Sequence, residues 1–460
     1  MMANTMLNLH LRLSYTNYNS KMKTKLNFTT VLILLLLLVS FILPAQNQEK
    51  ATKEFTDNEK EAIIKRVAAN FRKEYLFTDV SEQMVTYIEN RFENGDYDSI
   101  TIQKKFTAQL EKDMQLISKD KHVKIRTGEA PTDFDDLAVL RKENFGFRDV
   151  EILPGNIGFL SFYQFYDPKF AAPTAIAALN FLANCDALII DLRSNGGGRP
   201  EMKKFICSYF FDDPVCLLEF RNSGGVISQQ FSEKEVSGPK MLDIPIYILV
   251  GPQTFSGAEG FTFSMQNLGR ATVIGEKTRG GAHDSRIFSS PSESIYMQIP
   301  IQEAADPVTK KTWEGVGIQP DIIVAWEDAK YAAIVEATKT LIENNDPDEY
   351  WKGIWQWVKK DNEMKLNPIQ KDETQIIEYV GQYGNFKVSL ENCKLYFQYK
   401  TRPKTRLVPI EYDCFNQTFQ DDIFNSMQRI MFDRGDSGKI IGFHYQTSSG
   451  YVGRVHKKTL

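Results

Sequence analysis

Ile246-Tyr247-Ile248-Leu249-Val250 runs directly into Gly251-Pro252-Gln253-Thr254-Phe255-Ser256-Gly257-Ala258-Glu259-Gly260, and the fold turns on how this stretch is read. The first five residues are continuously apolar and rich in β-branched side chains, the pattern of a strand covered on both faces in a parallel α/β sheet. Beyond the glycines, Phe261, Met265 and Leu268 recur at helical spacing over Ala258–Leu268. Ser256 therefore stands where a strand ends and a helix begins, among free amides and the positive end of the helix dipole. Two readings follow. Ser256 caps the helix, as serine commonly does, or its hydroxyl attacks a carbonyl while the Gly257 amide binds the oxyanion.

Working outward, Asn156–Tyr163 reads as a strand, Pro173–Leu182 as an alanine-rich helix and Ala187–Leu192 as a second buried strand. Strand, helix and strand in that order predict a parallel crossover unit, and the loop Arg193-Ser194-Asn195-Gly196-Gly197-Gly198 falls at the carboxyl end of its second strand, where α/β sites form. Glycines there let amides point at an anion. A phosphate loop is the rival reading, but neither a Gly-Lys-Ser/Thr ending nor GxGxxG is present. After Ser256 come the strand Ala271–Ile274, a polar loop Gly275–Ser285 with Arg279 and His283, the strand Ser294–Ile301, a loop with Glu314 between Trp313 and two glycines, and a helix Asp328–Asn344.

Upstream, Thr56 to about Ser118 carries three amphipathic helical runs, a small bundle that ends at Asp120-Lys121-His122-Val123 before a short strand. Lys23 and Lys25 precede the leucine-rich run Val31–Leu43, the pattern of a cleaved export signal. That run is shorter than the roughly 20 apolar residues of a spanning helix, so the rival, an N-terminal anchor, is the weaker expectation. The expectation is an exported protein, periplasmic or extracellular, with no stable membrane span after cleavage. Downstream, past a Lys- and Asn-rich connector, Ile376–Gly450 alternates in short strands and predicts an antiparallel sandwich or barrel. The domains expected are 1–45 (signal with an upstream extension), 46–125 (helical), 126–346 (α/β core) and 347–460 (connector and β-rich domain).

The composition is that of an ordinary globular chain: 460 residues, 42% hydrophobic, 55 basic against 59 acidic side chains for a net charge of −4. Nothing is basic enough for nucleic acid. Cys185, Cys207, Cys216, Cys393 and Cys414 form no CxxC pair, so neither a metal site nor a redox motif is expected, and Cys393 with Cys414 is the first candidate disulfide. No cofactor is called for.

Together these segments resemble the tail-specific serine peptidase family, in the branch that includes interphotoreceptor retinoid-binding protein and the catalytic core of the tricorn protease. The resemblance runs from roughly Phe55 to Glu343 and rests on Asp120-Lys121-His122-Val123, Ile190–Gly198 and Thr254–Glu259, extended by Gly275–His283 and Trp313–Gly317. It implies a crotonase-like α/β core. In the Ser-Lys branch the lysine falls at the position of Gly281 and its orienting acid at Asn267, so that dyad is not expected here. The resemblance instead implies a His-Ser-Glu set: Ser256 as nucleophile, His122 as base, Glu314 as orienter, directly or through an intervening group. Gly257, Gly197 and Gly198 are the implied oxyanion donors, and Arg279 and His283 the implied substrate contacts, with His283 the rival base. Lys121, where the tricorn core has serine, departs from the pattern. The thirty or so residues between His122 and Asn156 leave no room for an inserted peptide-binding PDZ module. The substrate expected is a peptide or unfolded protein. The alternatives are a non-catalytic binder of hydrophobic small molecules on the same fold, and an acyl-CoA enzyme, which export disfavours.

Overall fold

A computed structural model of the chain describes residues 55–130, 137–344, 349–418 and 424–459. The leader expected over residues 1–45 lies outside them. Phe55 to Leu460 forms a compact unit of its own. Three helices open it: α1 (Asp57–Glu74), α2 (Thr78–Glu93) and α3 (Gln103–Ser118). The start of α1 is set by a capping box, in which the Thr56 amide donates to Glu59 at 2.9 Å and two orphan donors are satisfied reciprocally. Ile63, Ile64, Val67 and Phe71 from α1 share one core with Met84, Val85, Phe106 and Leu110, and with Ile125, Met297 and Ile299 of a sheet. The helices are thus packed on the sheet that follows rather than on one another alone.

That sheet contains β1 (Lys124–Thr127). After α4 (Leu137–Lys142) come β2 (Phe147–Leu153), β3 (Ile157–Phe162), α5 (Pro168–Leu182), β4 (Ala187–Asp191), α6 (Pro200–Cys207), β5 (Cys216–Asn222), β6 (Gly225–Phe231) and β7 (Ile246–Val250). Then follow α7 (Gly257–Asn267), β8 (Thr272–Gly275), β9 (His283–Ser290), β10 (Ile295–Ala305), β11 (Ile322–Ile323) and α8 (Ala329–Asn344). The central sheet has the order β11-β8-β7-β4-β3-β2. Its strands are parallel except β2, which runs antiparallel to β3. Leu188 and Ile190 face α5, α6 and α7, while Ala187 and Ile189 face α8. That two-sided burial is why β4 and β7 read as unbroken apolar runs. The second sheet has β1, β10, β5 and β6 side by side, with β9 also paired to β10. His283 therefore begins a strand and does not sit in a loop.

The stretch expected as a connector holds α9 (Glu349–Leu366), whose Trp355 and Val358 enter the core beneath the central sheet. Its Lys-rich face hid an apolar stripe at Trp351, Trp355 and Val358, spaced by four and three residues. After the short α10 (Glu373–Ile376), eight strands follow in sequence order: β12 (Gly381–Tyr383), β13 (Phe386–Glu391), β14 (Lys394–Tyr399), β15 (Thr405–Pro409), β16 (Cys414–Thr418), β17 (Phe424–Arg434), β18 (Ile440–Thr447) and β19 (His456–Lys457). Each pairs antiparallel with the next, and the Thr459 amide donates to the Gln382 carbonyl at 2.7 Å, which joins the two ends. The result is a near-closed up-and-down barrel. Cys393 is exposed, Cys414 is buried, and no disulfide joins them. Among the described residues no helix is long and apolar enough to cross a membrane.

Candidate active site

β7 delivers the chain to a tight turn fixed by Thr254. Its hydroxyl donates to the Leu192 carbonyl at 2.8 Å and accepts from the Gly251 amide at 3.0 Å, so the strand end and the glycine loop after β4 are tied together. Ser256 follows at φ 52°, ψ −117°, just ahead of α7. A non-glycine residue in that region is strained, and such strain persists where the surroundings over-determine it. The restraint comes from Glu259, fully buried on the first turn of α7. Its carboxylate accepts the Ser256 amide (2.9 Å), the Thr278 hydroxyl (2.5 Å) and the amides of Gly280 (2.6 Å) and Gly281 (2.9 Å). Burial pushes its carboxyl above the ordinary value, and those four hydrogen bonds hold the rise back.

The glycine loop lies against this turn. A Cβ on Gly257 would stand 2.9 Å from the Gly198 carbonyl oxygen and 3.0 Å from the Gly198 nitrogen; one on Gly197 would stand 2.9 Å from Ser256 Cβ. Only glycine permits that approach, and Gly197 and Gly198 also have φ of 101° and 128°. The Gly197 amide donates to Asn195 Oδ1 at 2.8 Å. It is committed to the loop and unavailable to an oxyanion, contrary to the sequence expectation. The Gly198 and Gly257 amides remain side by side.

His122 comes from the turn between α3 and β1. Lys119 closes α3 at φ 58°, and Asp120 then accepts the His122 amide at 2.8 Å. The His122 ring stacks on Phe255, centroids 4.6 Å apart, next to Ser256. Its Nδ1 lies 3.6 Å from Asp120 Oδ1, and neither ring nitrogen has a hydrogen-bond partner although the ring is only 4% exposed. Asp120 Oδ2 meets His283 Nδ1 at 2.6 Å and accepts the Tyr75 hydroxyl at 3.3 Å. His283 Nε2 in turn lies 3.7 Å from Glu303, which is bound by Arg221.

Burial opposes charge on both partners of this pair. The His122 and His283 rings outweigh it for Asp120, whose carboxyl is held well below the usual range. Burial would likewise lower His283, but Asp120, Glu303 and Glu314 push it up to about 10. With its Nδ1 on Asp120 and its charged form favoured by three carboxylates, His283 is the less suited of the two rings to accept a proton. Glu314 does not hydrogen-bond His122. Its Oε2 accepts the Ala282 amide at 2.5 Å and lies 3.9 Å from His283 Nδ1, and burial raises its carboxyl. The carboxylate beside His122 is Asp120, which sequence reasoning passed over. Its only local signal is an Asp two residues before the histidine amide it captures. Arg279 is exposed over the Phe255 ring at 4.7 Å, and the Lys121 ammonium donates to the Arg279 carbonyl. Asp120, His283 and Glu314 come close enough to share a cation, but the short Asp120–His283 contact already accounts for their proximity.

An α/β core with a serine on a strand-to-helix turn, two adjacent amides and a buried histidine–aspartate pair carries the equipment of serine hydrolases as a class. Residues 156–324 match the family described as Peptidase family S41, and residues 56–142 match the N-terminal domain of that peptidase in eukaryotic IRBP. These matches identify a peptidase family S41 domain within the chain. It is 27% identical over 184 residues to a carboxyl-terminal-processing protease of Picosynechococcus sp., covering 40% of this chain and 42% of that protein. It is 22% identical over 289 residues to a protein of Staphylococcus epidermidis named "Probable CtpA-like serine protease", covering 60% and 54%. The chain thus spans about half the length of these curated relatives. Among solved structures, the photosystem II D1 C-terminal processing protease aligns at TM-score 0.41 and 13% identity, over 58% of this chain and 94% of that one. The tricorn protease aligns at 0.42 and 12%, over 66% and 37%.

Proposed function

We propose that this chain is an exported serine peptidase that hydrolyses peptide bonds through an acyl-enzyme on Ser256. The observation that carries the reading is His122: a buried imidazole, both nitrogens unpartnered, stacked beside the residue that precedes a strained serine. Buried polar atoms are nearly always paired, so an unpaired ring here is held ready for a proton. Ser256 and His122 are not hydrogen-bonded without substrate; such contacts commonly tighten only when the cleft is filled. His122 then takes the hydroxyl proton as Ser256 attacks the carbonyl, and returns it to the leaving amine. Asp120, its Oδ1 3.6 Å from Nδ1, is the carboxylate that faces the imidazole as this transfer proceeds. Glu314 acts one step removed, through His283 and Asp120. The Gly198 and Gly257 amides receive the oxyanion, each worth about 2.7–4 kcal/mol of barrier. Arg279, exposed beside the turn, is a substrate contact. The core is read as crotonase-like because the parallel strands β4 and β7 place the glycine loop and the serine turn at adjacent carboxyl ends.

Labelling by a fluorophosphonate probe, together with cleavage of an unfolded polypeptide, tests this. Both are expected in the wild type and lost in Ser256→Ala, with labelling slowed at least a hundredfold in His122→Gln. Labelling that survives Ser256→Ala would put the nucleophile elsewhere, and a folded protein that neither labels nor cleaves would leave the non-catalytic reading.

A further inference from the structure

The β12–β19 barrel is not needed for the chemistry above, and it has a cavity of its own. Interior positions are set by the pairing register: Phe386 opposite Tyr399, Val388 opposite Phe397, Leu390 opposite Leu395, and Phe443 opposite His456. Tyr379, Phe415 and Phe432 fill one end, Phe415 meeting both of the others edge to face. At the other end a half-open cavity of about 800 Å³ lies against Phe386, Phe397, Tyr399 and Tyr445. Eight-stranded barrels sit at the size where the interior is either filled by side chains or holds one small ligand.

The cavity wall is aromatic. Phe386 lies 5.3 Å from Phe397, 4.7 Å from Tyr399 and 4.7 Å from His456, centroid to centroid. Burial, then the neighbouring Arg454, holds the His456 imidazole below its ordinary value, so the wall is uncharged at neutral pH. The only charged side chains lining the cavity are Arg402 and Arg454, both exposed at its rim; no aspartate or glutamate lines it. Neither guanidinium has an ion-pair partner among the described residues, and Arg402 rests over the Tyr399 ring at 5.3 Å. An apolar pocket with a one-signed cationic mouth complements a molecule with an apolar body and a single anionic end.

We propose that the barrel binds one small apolar carboxylate, its body against Phe386, Phe397, Tyr399 and Tyr445 and its carboxylate at Arg402 and Arg454. The test uses the whole chain and two fluorescent probes, cis-parinaric acid and the corresponding uncharged alcohol. Saturable fluorescence enhancement is expected for the acid at one molecule per chain, and weaker binding for the alcohol. The double variant Arg402→Glu/Arg454→Glu changes only exposed side chains and is expected to weaken the acid about tenfold or more while leaving the alcohol within about twofold. Phe386→Ala is expected to weaken both probes. Absence of saturable binding, a stoichiometry well above one, or equal response of acid and alcohol to the charge reversal would each overturn the proposal.

Discussion

A methyl group built on Gly281 would stand 2.6 Å from His122 Cε1 and would also meet the Phe255 ring. The imidazole and a side chain at position 281 therefore exclude each other. This is the position at which the resemblance puts the lysine of Ser-Lys relatives, so in this chain His122, the proposed base, fills the space such a side chain would need.

Gly281→Ala should accordingly displace His122 or Phe255. The overpacking costs about 1–3 kcal/mol, and because a general base contributes some 10²–10⁴-fold, fluorophosphonate labelling should slow by at least about a hundredfold. A pseudo-first-order labelling time course on folded variant protein measures this. Unchanged labelling would mean that His122 is not the base.

Glu259→Gln should loosen the turn that holds Ser256. A neutral amide cannot accept four donors at once, and because each carboxylate oxygen takes two of them, its NH2 group would face two. With hydrogen bonds to a charged acceptor worth about 1.5–3 kcal/mol, a loss of that order is expected in urea unfolding, with a fall in labelling rate larger than that in a surface Glu→Gln control.

The Asp120–His283 pair gives stability a defined pH dependence. His283 is raised from 6.5 to about 10, so its contribution is complete below about pH 6.5 and is lost as pH rises toward 10. Asp120 is lowered, so its contribution is present above its ordinary 3.8 and is lost as pH falls below that. Thermal unfolding of the wild type should show Tm falling between pH 7 and 10, and His283→Gln should flatten that alkaline slope while lowering Tm near pH 6.

Asp361 on α9 and Arg429 on β17 form a buried ion pair at 2.8 Å, with side chains 6% and 8% exposed. Removing one partner strands a buried charge, at a cost of about 3–5 kcal/mol. Arg429→Met should therefore destabilise far more than the double replacement Asp361→Leu/Arg429→Met adds to it. A double-mutant cycle in denaturant tests this; additive losses would mean the pair is not coupled.

The local features of the site were legible. A continuous apolar run, a glycine-flanked serine and a helical period lie within some twenty residues, and β7, Ser256 and α7 follow that pattern. The glycine loop after β4 was legible for the same reason, though which of its amides is free depends on the Asn195 side chain. Asp120 was not legible, because its role needs His283 brought from the far side of the sequence by β9. Glu259 stood in plain view as the acid three residues after a serine, the capping-box spacing, but its bonds to Gly280 and Gly281 exist only in the folded chain. The helix α9 was hidden by its own lysines, which cover the face turned away from the core.

That helix also moves the place where the chain can be divided. Asn345-Asp346-Pro347 looks like a seam, yet Trp355 beyond it donates to the Gly155 carbonyl at 2.9 Å and, with Val358, packs against the underside of the central sheet. Cutting there would strip the catalytic layer of part of its own floor. The same helix gives Asp361 to Arg429 and Met364 to Ile410 and Cys414 of the barrel, so it is floor to one layer and plug to the other, and a cut on either side of it leaves one of them open.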